Sequence, residues 1–248
     1  MHDYTAQPRQ ATQTPNAPWR VPTSIPMDLP FLLDFLRNLA ANNNKVWMDA
    51  NRADYHRARA TFTALIQEVL HGLQRFDPDL QGITPSDSMF RINKNDRFRQ
   101  SGEPYKNRMG AGMSRGGRHS PWAGYYLAVE PNGQTLVGAG KWRPESTGLA
   151  RIRQEIHYNG VEFQALREEP RLLHYFPDGF EGERLQRPPK GYDKNDPDIE
   201  WLKLKDFFVS HSFSDAELLA PDFTQRVLAS FQAAQPLVKF LNRALESE

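Results

Sequence analysis

The chain has 248 residues, 39% of them hydrophobic and 25% charged, and a formal net charge of +1. That balance suits one globular domain able to bury a core without cross-links, and argues against a fibre or a wholly disordered chain. The absence of cysteine removes thiol nucleophiles, zinc-cysteine sites, iron-sulfur clusters and disulfides together, and makes a cytoplasmic location the expectation.

Residues 1–27 carry Pro8, Pro15, Pro18, Pro22 and Pro26 among Gln, Thr, Asn and Ala. So few large apolar groups cannot offset the entropy of ordering, so a disordered tail is expected there, followed by a single domain over 28–248. The tail lacks the apolar run of a secretory signal. Asp28 can cap a helix with Pro30 in its first turn, and Phe31, Leu32, Phe35, Leu36 and Leu39 recur at helical spacing. The Asn42-Asn43-Asn44 run ends it. A second helical pattern starts near Lys45 and continues through Trp47, Tyr55, Phe62, Leu65, Ile66, Val69 and Leu73, until Asp77-Pro78 and Thr84-Pro85 close the region.

The period then changes. Ser88 to Asn93 reads as a short strand and Trp122 to Glu130 as a stronger one, while Pro131-Asn132-Gly133 before Thr135 to Gly140 supplies a hairpin signal. Helical spacing returns with Leu149, Ile152 and Ile156, stops at Asn159-Gly160, and resumes at Phe163 and Leu166. Pro170, Pro177, Pro188 and Pro189 mark a loop-rich stretch. Asp196-Pro197 opens a short helix through Trp201, Phe207-Phe208-Val209 adds a strand, and Ser214 with Glu217 matches a capping box. The last helix begins near Pro221 and carries the stripe Phe223, Val227, Phe231, Leu237, Leu241 and Leu245, with a kink expected at Pro236. The order predicts an α+β fold, an antiparallel sheet in the middle of the chain packed against N- and C-terminal helices.

Charge is unevenly spread. Residues 91–118 hold eight basic residues (Arg91, Lys94, Arg97, Arg99, Lys106, Arg108, Arg115 and Arg118) against only Asp96 and Glu103. Like charges so concentrated destabilise the fold unless anions neutralise them, and those anions are either the protein's own carboxylates or a ligand's phosphate or carboxylate. Phe90, Phe98, Tyr105 and Trp122 lie among the cations, and Lys141-Trp142-Arg143 repeats the pattern. The candidate ligand-binding residues are Arg91, Arg97, Tyr105, Lys106, Arg108, Lys141, Trp142 and Arg143. Asp96 and His119 are the candidate catalytic groups, Asp96 to orient the arginines or move a proton and His119 as a proton carrier near neutral pH. A small anionic molecule, phosphorylated or nucleotide-like, is the expected partner, with hydrolysis or transfer at its phosphate as the reaction to screen first. Nucleic acid is the alternative partner, although an overall pI near 8.0 is low for a dedicated binder. A third reading pairs the basic patch internally and leaves a structural or partner-binding domain. No apolar run approaches the roughly 20 residues of a membrane span, so no membrane partner is expected.

Other motifs carry less. Gly112-Met113-Ser114-Arg115-Gly116 fits a nucleophile elbow, but Gly116, Gly117 and Pro121 leave no room for the helix that must follow. Gly138-Ala139-Gly140 lacks the third glycine and the helix of a dinucleotide fingerprint, and there is no phosphate loop. The seven histidines form no metal-binding spacing, so neither metal nor cofactor is expected.

Phe90-Arg91-Ile92, Asp96-Arg97-Phe98, Pro104-Tyr105-Lys106-Asn107, Gly124-Tyr125-Tyr126, Gly140-Lys141-Trp142-Arg143-Pro144 and Pro189-Lys190-Gly191-Tyr192 resemble the conserved bacterial domain of unknown function numbered 2461. Phe35-Leu36-Arg37-Asn38-Leu39, Asn43-Asn44 and Trp47 resemble that family's first helices, and the likeness runs from about residue 28 to 245. Lys94-Asn95 stand where that family has Arg-Asp, and Gln100-Ser101-Gly102-Glu103 replace its lysine-bearing turn. The resemblance implies a cytoplasmic α+β protein and supplies no reaction.

Overall fold

The computed structural model describes residues 27–95 and 102–246. The disordered tail expected over 1–27 falls, except for Met27, outside them. Asp28 accepts the Phe31 N–H at 3.2 Å and, with proline in the first turn, starts α1 (Leu29–Ala41). Asn44 caps α2 (Lys45–Ala50) in the same way. The single helix expected from Lys45 to Leu73 is divided: α3 (Arg52–Leu73) begins only after Asn51, whose backbone leaves the helical region at φ −108° and ψ 28°. The Asn51 side chain donates back to the Trp47 carbonyl at 2.8 Å, so an amide competes locally with the helix. Pro78 and Pro85, rather than simply closing the region, each open a turn: a 3-10 helix (Pro78–Leu80) and α4 (Pro85–Ser88).

Five strands form one antiparallel sheet: β1 (Met109–Ser114), β2 (Gly124–Val129), β3 (Thr135–Lys141), β4 (Phe180–Glu181) and β5 (Phe207–Phe213), in the order β1-β2-β3-β5-β4. Asn132 and Gly133 sit at φ 65° and 72° in the β2–β3 turn, both in the left-handed region that Asn and Gly tolerate best. Asp215 accepts both turn N–H groups, at 3.1 and 2.9 Å, and pairs with Arg37 at 2.6 Å, which ties the hairpin to α1. Between β3 and β5 run α5 (Ser146–Tyr158), α6 (Gly160–Arg167), α7 (Pro170–Tyr175) and α8 (Ile199–Leu202); α9 (Asp215–Leu218) and α10 (Phe223–Glu246) follow. Pro170 sits in the first turn of α7, so part of the stretch expected to be loop is helical. Ser88 to Asn93 is not a strand. It runs beside residues 105–111 through isolated bridges, Met89 to Ala111 and Asn93 to Tyr105, and because four residues on one side span six on the other the two bridges share no register and no ladder forms.

One face of the sheet is apolar. Ala111, Met113, Tyr125, Leu127, Val137, Ala139, Phe207 and Val209 are buried on it. Across it lies α10, running unbroken through Pro236, with Phe231 at 5.2 Å from the Tyr125 ring. Buried Asn242 accepts the Ala123 N–H at 2.8 Å and donates to its carbonyl at 3.3 Å, fixing the start of β2 against α10. Helix α3 packs on α10 and on β1, and α1 packs on α3. Among the described residues the helices therefore lie on one side of the sheet only. No helix among the described residues is long and apolar enough to cross a membrane.

Candidate functional site

Side chains alternate across a strand, so the residues between those of the core point away from the helices. Register sorts them into three rows across the sheet. Gly110, Ala128, Leu136 and Ser212 form the first, Gly112, Tyr126, Gly138 and Ser210 the second, and Ser114, Gly124, Gly140, Phe208 and Glu181 the third. Nine of these thirteen positions are Gly, Ala or Ser. A face with so little side-chain volume leaves a hollow, and the basin over it measures about 630 Å³, within the roughly 300–1,000 Å³ of small-molecule sites.

The few large side chains on this face lie over bare neighbours. A Cβ on Gly138 would stand 2.3 Å from the Phe208 ring, and one on Gly110 would stand 2.9 Å from the Tyr126 hydroxyl. Gly140, at φ 119°, would bring a Cβ to 2.1 Å from the Phe207 carbonyl oxygen. Glycine is thus required where rings and neighbouring backbone come closest. Phe90, from the segment before β1, joins Tyr126 at 6.4 Å between ring centroids, and Trp142 meets Phe208 edge-on at 5.9 Å. The basin has two aromatic pairs, one near the β1 edge and one where β3 ends beside β5.

Cations stand around them. The Lys106 ammonium donates to the Arg91 carbonyl at 2.8 Å and lies 5.8 Å from the centre of the Phe90 ring. Arg91 itself donates to the Asn95 side chain. Arg118 donates to the Ser86 and Asp87 carbonyls at 2.7 and 2.9 Å, at the C-terminal end of α4, and Lys141 donates to the Ser120 carbonyl at 3.2 Å. Among the described residues, none of these four has a carboxylate within ion-pair distance. Other members of the basic stretch do: Lys94 pairs with Glu103 at 2.8 Å, Arg108 with Glu130 at 3.3 Å and Arg115 with Glu246 at 2.5 Å. Burial, reinforced by the positive charges of Arg108 and Arg91, lowers the Lys106 ammonium pKa below the ordinary lysine value. Burial also lowers that of Lys141, against the opposing pull of Glu145. Both groups would lose less by meeting an anion than by remaining as they are. At the far edge Glu181 accepts the Ser210 hydroxyl at 2.8 Å.

Of the residues singled out by sequence, Arg91, Lys106, Arg108, Lys141 and Trp142 line this basin. Tyr105 does not flank it. Its side chain is packed in the core, and Asn43 clamps its backbone by accepting the N–H at 3.0 Å and donating to the carbonyl at 2.9 Å. Arg143 stands outside the lining at φ 45°, with its guanidinium 5.7 Å from the Trp142 ring and its N–H donated to Asp206 at 2.6 Å. His119 is exposed and meets Phe90 edge-on at 6.0 Å. Asp96 and Arg97 lie outside the described residues. Ser114 of the elbow-like motif is buried at the end of β1, donates to the Gly117 carbonyl at 2.8 Å, and is followed by a turn through Gly116 and Gly117. Among the described residues no three His, Asp or Glu side chains gather as a metal site would require.

Sequence reasoning placed Phe90 and Arg118 in the basic, aromatic-interleaved stretch without giving either a role, and assigned no site role to Tyr126, Phe208 or Glu181 or to the bare rows between them. The available signal was the alternation of small with large residues in Gly110-Ala111-Gly112-Met113-Ser114 and Val137-Gly138-Ala139-Gly140, a period of two in which the second face is shaved rather than polar. The family model described as conserved hypothetical protein (DUF2461) matches residues 32–240. No curated protein and no solved structure matches.

Proposed function

We propose that this chain, which belongs to the conserved hypothetical protein family DUF2461, binds a small phosphorylated, nucleotide-like anion in the basin on the open face of its sheet. One observation carries the reading. Arg91, Lys106, Arg118 and Lys141 surround a single aromatic-floored hollow and are bonded to main-chain or amide oxygens instead of carboxylates. Cations so arranged repel one another and are partly desolvated, and a phosphate dianion relieves both costs at once. A planar ring has stacking partners in Phe90 and Tyr126 or in Trp142 and Phe208, and Ser210, Ser212 and Glu181 offer hydroxyl and carboxylate partners at the other edge. Hydrolysis or transfer at the bound phosphate belongs to the same reading and would be followed as orthophosphate release.

A thermal-shift panel of nucleotides and sugar phosphates tests it. A ligand present at 100 times its Kd should stabilise the protein by about 2.7 kcal/mol. Lys106→Ala and Lys141→Ala should suppress that response. A panel in which no anion raises the melting temperature would reject the proposal.

A further inference from the structure

A second groove, of about 490 Å³, opens between α5 and the loop Pro189-Lys190-Gly191-Tyr192, and shares no lining residue with the basin. Helix α5 places Arg153 and His157 one turn apart on one face. The His157 Nδ1 lies 2.6 Å from a carboxylate oxygen of Asp196, whose side chain is only 5% exposed. The other Asp196 oxygen accepts the Asp198 N–H at 2.8 Å. A carboxylate can only accept, so the neutral imidazole keeps its proton on Nδ1 and presents Nε2 as a lone pair. The rings of Tyr192 and Tyr158, each 5.4 Å from the imidazole, bracket it.

The wall chemistry has one sign. Arg153 and Lys190 line the groove together with His157, and no carboxylate does so among the described residues; Asp196 stands behind the imidazole. Arg153 gives one N–H to the Leu204 carbonyl at 3.0 Å, while its buried Nε has no partner among the described residues. The titratable and charged groups around the imidazole are Arg153 and Tyr158 on its own helix, Lys190 and Tyr192 on the loop, and Asp196 and Asp198 behind it.

We infer that this groove is a second ligand site, taking a singly protonated phosphate, free or as a monoester, with Arg153 and Lys190 gripping its oxygens and its P–O–H donating to the His157 Nε2 lone pair.

The imidazole 15N resonances of the labelled full chain read this directly. Phenyl phosphate and inorganic phosphate should each move the His157 Nε2 signal saturably, and benzenesulfonate at matched ionic strength should not. Tighter binding of phenyl phosphate assigns the site to esters, and equal binding assigns it to free phosphate. Lys190→Ala should weaken either titration about tenfold, the loss expected for one charged hydrogen bond. Asp196→Asn should mix the two imidazole tautomers, and Lys141→Ala, in the basin, should leave the titration unchanged. A His157 signal unmoved by both phosphates, moved equally by the sulfonate, or titrating identically in Lys190→Ala would overturn the inference.

Discussion

Lys106→Met separates binding from stability, because the structure places opposing contributions on one side chain. The substitution removes the ammonium's hydrogen bond to the Arg91 carbonyl, a loss of about 1 kcal/mol. It also removes the contact with the Phe90 ring, worth roughly 0.5 kcal/mol at an exposed site. Against these stands relief from Arg108 and Arg91, the two cations that add to burial in depressing its pKa. A like-charged pair about 6 Å apart costs roughly 0.7 kcal/mol at water's dielectric and nearly 3 kcal/mol at an effective value of 20. Lys106 is half-buried, so the screened end of that range applies, and two such pairs return about 1.5 kcal/mol. The contributions nearly cancel. The melting temperature should stay within about 3 °C of wild type, since 1 kcal/mol corresponds to roughly 2–4 °C in a domain of this size. Affinity for a phosphorylated ligand found in the panel should fall at least tenfold, because a charge-assisted contact of about 1.5–3 kcal/mol is lost. Differential scanning fluorimetry and isothermal titration calorimetry on the same sample give both numbers. An unchanged affinity, or a melting temperature lowered by more than about 6 °C with the ligand response intact, would refute the assignment of Lys106 to the basin's anion contact.

Three further outcomes are expected. Ligand affinity should decline as pH rises through the folded-state pKa of Lys106, which lies below 10.5. In the same window up to 10.5 the free protein should gain stability from this group, because the unfolded chain then binds more protons than the folded one; a pH series of denaturant melts checks the sign. Gly140→Ala should destabilise severely, by about 3 kcal/mol or more, since its Cβ would meet the Phe207 carbonyl oxygen at 2.1 Å, whereas Gly112→Ala, whose nearest neighbour is the Phe90 ring at 3.4 Å, should be tolerated. Binding of the panel ligand should show a shallow salt dependence; a single-stranded oligonucleotide binding with a log–log slope of magnitude about 3, as for some four phosphates contacted, would instead favour a nucleic-acid surface.

Local chemistry was readable along the chain and register was not. Asp28, Asn132-Gly133 and the Ser214–Glu217 box act within a few residues, and each does what its type implies: cap, left-handed turn and reciprocal cap. Strand β1 escaped notice because Gly110 and Gly112 lower its strand propensity, although those glycines are what hollow the basin. The basic stretch announced itself, but which cations meet acids depends on distant chain. Arg115 finds Glu246 and Arg108 finds Glu130, while Lys106 and Arg118, among the described residues, reach main-chain carbonyls. Tyr105 next to Lys106 shows the remaining difficulty. Adjacent residues in extended chain face opposite ways, so one enters the core and the other the basin.

The three rows of the open face cross a seam in chain connectivity. Strands β1 to β3 are joined by short links, whereas β5 reaches β3 only after residues 142–206 have been threaded between them. Closing so long a loop is entropically slow, so the meander can assemble before its last neighbours arrive. Gly138 and Gly140 lie on one side of that seam, Ser210 and Phe208 on the other. An occupant of the basin touching both would act as a clasp across the late-formed junction, favouring the joined state over a partly opened one by its own binding free energy.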